Sequence, residues 1–182
     1  MISFRPMTSS DAEELFRAVQ DNSSFLLPWV TTPLRIRDID SARIHVATKL
    51  SNGMPARHGA FDEGRLLGSV RLIEAVPQAT EYEIGIWRVR DACPHGLAKW
   101  MLGRAICAAF GYGASRVIVQ HAVSNSRAAL MIGGFGIRFV GVDRRAVPLG
   151  DGVDDAAVYA ILVDEMTLDR YNEWGAEWHE SC

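Results

Sequence analysis

One junction constrains this chain more than any other stretch of it. Residues 80–89, TEYEIGIWRV, alternate as a strand, residues 90–95 break the pattern, and 96–112 carry Leu97, Met101, Leu102, Ile106 and Phe110 at helical spacing. A strand that passes through a short glycine-containing loop straight into a helix forms an anion site. The first N–H groups of the helix lack intrahelical acceptors, and the helix dipole is positive at that end. Gly96 and Ala98 are small enough for a phosphate to approach the backbone, and His95 and Lys99 supply possible positive charge. A lone glycine before a helix is common, so the junction by itself marks a candidate phosphate site and no particular ligand.

The rest of the chain arranges itself around that junction. Residues 2–7 read as a strand, and 10–21 as a helix with Ala12, Leu15, Phe16 and Val19 on one face and Ser10/Glu13 as a capping box. Residues 22–38, with Pro28, Trp29 and Pro33, read as a loop with a short helical turn. A second helix runs from Ile39 to Leu50 and stops at Asn52-Gly53. Strands follow at 57–62 and 66–75, joined by a Glu63-Gly64 turn. After the long helix come a buried strand at 116–123, a short helix at 126–133 and two strands at about 137–144 and 156–163. The order β-α-α-β-β-β-α-β-α-β-β predicts an α+β, mixed fold with one central sheet and helices on its faces. It is not an alternating βαβ chain and has no GxGxxG fingerprint. Residues 1–167 are expected to form a single domain, and 168–182 a loosely ordered C-terminal tail.

Composition narrows the function classes. The 182 residues carry a net charge of −3, which argues against non-specific nucleic-acid binding. Cys93, Cys107 and Cys182 form no CxxC pair and no zinc-ligand cluster, so no metal is expected. Scattered thiols, a start without an apolar leader and the lack of a run of about 18 apolar residues predict a cytoplasmic protein that does not enter a membrane.

The run Tyr82 to Leu102, YEIGIWRVRDACPHGLAKWML, resembles the acetyl-CoA-binding core of the GNAT family of N-acetyltransferases, in particular its RimJ/RimL-like branch. Glu83, Ile84, Gly85 and Trp87 match the strand of that pattern, and Gly96 and Ala98 match its loop. Residues 125–141, NSRAALMIGGFGIRFVG, agree at Asn125, Gly136, Phe139 and Gly141, and ISFRPMTSSDAEELFRAV at the start is also similar. Cys93, Pro94, Ala128 and Ile137 depart from the pattern; proline offers no N–H to a phosphate. The resemblance implies a GNAT fold, a mostly antiparallel sheet of about seven strands flanked by helices. It also implies acetyl-CoA as cosubstrate, held by Trp87, Arg88, Val89, Cys93, His95, Gly96, Leu97, Ala98, Lys99 and Asn125. The acceptor would be a primary amine, on a small molecule or a peptide or protein N-terminus, and a homodimer is consistent with the family.

An amine must lose a proton before it can attack a thioester, so a base is useful. The resemblance nominates Glu83. Glu81 shares its strand parity, and two carboxylates on one face would raise one another's pKa toward neutrality. The alternative is that both are solvent-facing strand charges. Trp29, Glu81 and Tyr82 are the expected substrate contacts, with Phe25 beside them. A backbone N–H near 86–89 would face the oxyanion. Asn125 is either a contact to the pantetheine arm or an ordinary helix N-cap. Covalent catalysis by Cys93 lacks a matched His–Asn pair, and His58 and His121 read as structural histidines. Beside the transferase stands a second reading, a non-catalytic acyl-CoA binder of the same fold, which Cys93, Pro94 and Ala128 would suit.

Overall fold

The computed structural model describes residues 1–75, 80–91, 94–150 and 152–178. Its strands are β1 (Ile2–Pro6), β2 (Arg57–Asp62), β3 (Arg65–Glu74), β4 (Glu81–Arg88), β5 (Arg116–Ala122), β6 (Arg138–Pro148) and β7 (Val153–Leu162). The helices are α1 (Ala12–Asp21), α2 (Ser23–Leu26), α3 (Thr32–Arg35), α4 (Ile39–Ala47), α5 (Leu97–Gly111), α6 (Ser126–Gly133) and α7 (Leu168–Gly175). One seven-stranded sheet runs in the order β1-β2-β3-β4-β5-β7-β6. Every neighbouring pair is antiparallel except β4 and β5. This is the mixed α/β architecture that the order of elements predicts.

The parallel pair creates the cleft. Parallel neighbours need a crossover, and α5 supplies it. The β4–β5 ladder runs from Glu81↔Arg116 to Ile84↔Val119 and stops there, while β4 remains paired with β3 as far as Arg88. Beyond Ile84 the two central strands therefore part, and the opening lies beside the start of α5.

Helix α5 is fixed by what it buries. Leu97, Met101, Leu102, Ala105, Ile106 and Ala109 are all within 1% of full burial and join a core that includes Leu66, Leu72, Ile84, Val117 and Ile161. Each such large aliphatic contributes roughly 1.5–3 kcal/mol. The helix N-cap, Gly96, has φ 84°, a left-handed conformation that favours glycine.

Three local expectations change. The capping box before α1 lies two residues upstream of Ser10/Glu13: Thr8 N–H donates to Asp11 Oδ2 at 2.7 Å, and Asp11 also accepts from both Arg5 Nη atoms at 2.7 and 2.8 Å. A carboxylate holding that fork suits the site better than Glu13, because Arg5 lies within reach of Asp11. The 22–38 segment holds two short helices, α2 and α3. Residues 168–178, the described part of the expected tail, pack against the domain. Residues 168–175 form α7, Trp174 is buried, and a Cβ on Gly103 of α5 would lie 2.9 Å from the Trp174 side chain. Trp100 Nε1 donates to Ala176 O at 2.9 Å, and Arg104 to Gly175 O. Apolar burial of one tryptophan outweighs the polar composition that made the segment read as a tail.

Candidate active site

Two cavities meet where β4 and β5 part. The larger, about 750 Å³, is bounded by Ile86–Arg88 of β4, by 94–99 at the start of α5, and by α6. The second, about 420 Å³, lies deeper along the sheet and is lined by Glu83, Arg57 and Arg71 among others. Trp29, Trp87, Asn125 and Ala128 border both cavities, so a molecule in one can touch a molecule in the other.

The larger cavity ends on unsatisfied helix donors. Among the described residues, the N–H groups of Ala98 and Lys99 have no acceptor, whereas Trp100 N–H already bonds Gly96 O and Leu97 N–H bonds Pro94 O. Pro94, His95, Gly96, Ala98 and Lys99 line this end. A diphosphate fits such a place through backbone donors and the helix dipole. The rest of the cleft is mostly apolar, with Phe25, Leu26, Leu130 and Met131 around it. The Arg88 guanidinium is held over the Phe25 ring at 5.9 Å and donates to Val89 O. A long cofactor with a phosphate end and an aliphatic arm matches both halves.

The expected cofactor contacts divide accordingly. Trp87, Arg88, His95, Gly96, Ala98, Lys99 and Asn125 line the cleft, while Leu97 lines it but turns its side chain into the core. Val89 does not line it: its side chain is buried and its N–H donates to Leu67 O. Cys93 lies outside the described residues. Asn125 is the N-cap of α6, its Oδ1 accepting from Ala128 N–H at 3.1 Å, and the residue also borders both cavities.

The smaller cavity holds Glu83 and Trp29, but not Glu81 or Tyr82. Glu81 lies farther along β4, where its carboxylate pairs with Arg116 at 2.5 Å, so the carboxylate pair expected from strand parity does not form. Tyr82 points to the opposite face of β4, is buried in the core, and receives a hydrogen bond from Asn52 Nδ2 at its hydroxyl. His58 is structural as expected: buried, stacked on Phe4 and bonded to the Tyr112 hydroxyl at 3.0 Å. Burial pushes its pKa down to about 4.

His121 differs from that expectation. Its Nδ1 lies 2.8 Å from Ala122 O, which fixes the proton on Nδ1. Its Nε2 is buried without a partner among the described residues, and the residue lines the smaller cavity. The sequence also left Arg57, Arg71, Arg35 and His45 unassigned, and all four line the same cavity. The available signal was charge inside an otherwise apolar hairpin, namely Arg57 and Arg71 on strands whose other residues are mostly buried.

A GNAT acetyltransferase domain profile matches residues 2–138. The chain belongs to the GNAT acetyltransferase family, whose members are acyltransferases that take an acetyl group from acetyl-CoA. No curated protein has a significant sequence match to it. Among solved structures it is similar to RimL, a ribosomal alpha-N-protein acetyltransferase, in complex with coenzyme A, with 17% identity, a TM-score of 0.76, and 91% of this chain and 96% of that one covered. RimJ of Mycobacterium smegmatis, in complex with a CoA disulfide, gives 16% identity, a TM-score of 0.78, and coverage of 96% and 89%. A microcin self-immunity acetyltransferase, MccE, in complex with acetyl-CoA and AMP, gives 15%, 0.75, and coverage of 89% and 92%. These similarities extend to the fold. Among the described residues no helix is long and apolar enough to cross a membrane, and no group of three or more His, Cys, Asp or Glu could hold a metal ion.

Proposed function

We propose that this chain is an N-acetyltransferase that moves the acetyl group of acetyl-CoA directly onto a primary amine, within one catalytic domain that includes α7, in the cytoplasm. One observation carries the reading: the cleft that ends on the free N–H groups of α5 meets, at Trp87 and Asn125, a second cavity that holds Glu83. The amine enters that second cavity as an ammonium, and Glu83 takes its proton. The neutral nitrogen attacks the thioester carbonyl, an N–C bond forms and the C–S bond breaks, and the second proton, shed by the nitrogen as it becomes an amide, passes to water. The thiolate leaves without a donor, since a thiol has a pKa of about 8.5, and Ala128 offers none. The Ala98 and Lys99 N–H groups bind the pyrophosphate of the cosubstrate, and Trp29 and Trp87 wall the junction against water.

His121 supports a second reading of the base. Its Nε2 carries a free lone pair in the same cavity, and nothing else among the described residues uses it. A thiol-release assay over a panel of primary amines tests the function. Turnover with any amine supports transfer, whereas coenzyme binding without turnover across the panel would assign the chain to the non-catalytic alternative. Replacing Glu83 by Gln should lower kcat by about a hundredfold or more, with the KM for acetyl-CoA unchanged. If His121→Gln has that effect instead, the base is His121.

A further inference from the structure

The smaller cavity is built around positive charge that no ion pair among the described residues neutralises. Arg57 of β2 and Arg71 of β3 are direct cross-strand partners. Like charges so placed repel. Arg35, at the end of α3, joins them at the mouth. Among the described residues, none of the three forms an ion pair. Arg57 is 6% exposed, yet its Nε has no hydrogen-bond partner. Its Nη2 reaches only His45 Nδ1, at 3.4 Å. That histidine cannot supply a counter-charge: burial, and then Arg57, Arg71 and Arg35, hold its pKa down to about 3, so it is neutral at physiological pH. Burial and the two neighbouring arginines also draw Arg57 down, to about 9, which leaves it charged.

A buried, unpaired guanidinium is costly and is rarely kept without a partner. Among the described residues, a carboxylate whose charge acts on Arg71 is Glu83, which lines the same cavity. Glu83 is offset along β4 from Gly85, which is the residue paired with Arg71. Such diagonal neighbours stand roughly 7 Å apart. Gly85 itself presents no side chain between them. An anion on the arginines would thus leave an amine a few bonds away beside Glu83.

We propose, resting on the acetyl-transfer reading above, that the acceptor is an amine that also carries a carboxylate or phosphate, and that Arg57, Arg71 and Arg35 bind this anionic group. The three arginines act as specificity determinants, and Glu83 receives the amine.

Two measurements separate this idea from the reading beneath it. The first needs no turnover. Inorganic phosphate and succinate, each at constant ionic strength against sodium chloride, should raise the Tm of the wild-type protein. That rise should vanish in Arg57→Met and in Arg71→Gln. Without added anion, Arg57→Met should melt above wild type, since a desolvated charge is removed. An anion effect that persists in both variants, or is absent from the wild type, overturns the anion site whatever the enzyme does.

The second measurement compares kcat/KM within matched pairs. These are γ-aminobutyrate against n-butylamine, O-phosphoethanolamine against ethanolamine, and a peptide beginning with Asp against one beginning with Asn. The anionic member of at least one pair should lead by about tenfold or more, as expected for a charge-assisted contact. The pair that shows the preference identifies the source of the anion, and the preference should collapse in Arg71→Gln. Equal rates within every pair overturn the proposal and leave acetyl transfer standing. Arginine-dependent anion binding with no turnover of any amine supports the anion site and removes the transferase reading instead.

Discussion

Glu83 and His121 differ in what already engages them. The Glu83 carboxylate makes no hydrogen bond to the described residues and lies in the field of Arg71, while His121 has one nitrogen tied to Ala122 O and the other open. Glu83 was readable in the sequence only through the EIGIW pattern. His121 was not readable at all, because a histidine on a buried strand is more often fully bonded, as His58 is. His121 differs from His58 in that its Nδ1 lies 2.8 Å from a carbonyl, Ala122 O, which no local pattern encodes. The two candidates also make different predictions for pH. If Glu83 is the base, His121→Gln should leave the acidic limb of the kcat/KM profile in place and change its height less than tenfold, roughly the scale of a lost neutral contact. Steady-state profiles of both variants against one amine check this, and an acidic limb that disappears in His121→Gln reassigns the role.

At the scale of elements, the β2–β3 hairpin shows why the arginine pair stayed hidden. Its turn is legible: Glu63 and Gly64 take φ of 47° and 85°, as a two-residue hairpin of the type I′ class requires. From Asp62↔Arg65 an unbroken register would set Arg57 against Val70. A bulge between Ala60 and Phe61 shifts the ladder by one, and Arg57 faces Arg71 instead. The β4–loop–α5 junction was legible because its signal is local, a strand, a glycine and a helix start. It also carries its own test. At φ 84°, Gly96→Val forces a β-branched residue into the left-handed region. The substitution should cost about 1–3 kcal/mol and displace the Ala98 and Lys99 donors, so the Kd for coenzyme A should rise about tenfold or more, on the scale of one charge-assisted contact. Calorimetric titration with coenzyme A, alongside a denaturation curve, separates the two effects. Affinity unchanged in a folded variant would show that the pyrophosphate is not held there.

For the whole molecule, the element order predicted a central sheet, and the sheet is there, but its functional property comes from one parallel pair among antiparallel ones. That feature follows from connectivity: a strand, a crossover helix and a strand at 80–122 dictate it, and the parting of β4 and β5 after Ile84 then depends on long-range packing. The same packing makes the fold sensitive to acid. His58 lies in the layer between the sheet and α5, against Phe4 and Tyr112, and burial holds its pKa at about 4 against an ordinary 6.5. The native state therefore refuses a proton that the unfolded chain accepts. Stability from this group is complete above about pH 6.5, declines as pH falls toward 4, and is level below that. At roughly 1.4 kcal/mol per unit the loss reaches about 3 kcal/mol, and His45, held at about 3, extends the decline further. Denaturant titrations between pH 8 and pH 4 should show this slope. His58→Gln, which can still bond the Tyr112 hydroxyl but cannot titrate, should be less stable at pH 8 and flatter toward pH 4. A variant as steep as wild type would place the acid sensitivity in other groups, and with it the view that the sheet–α5 layer governs the stability of the cleft would fail.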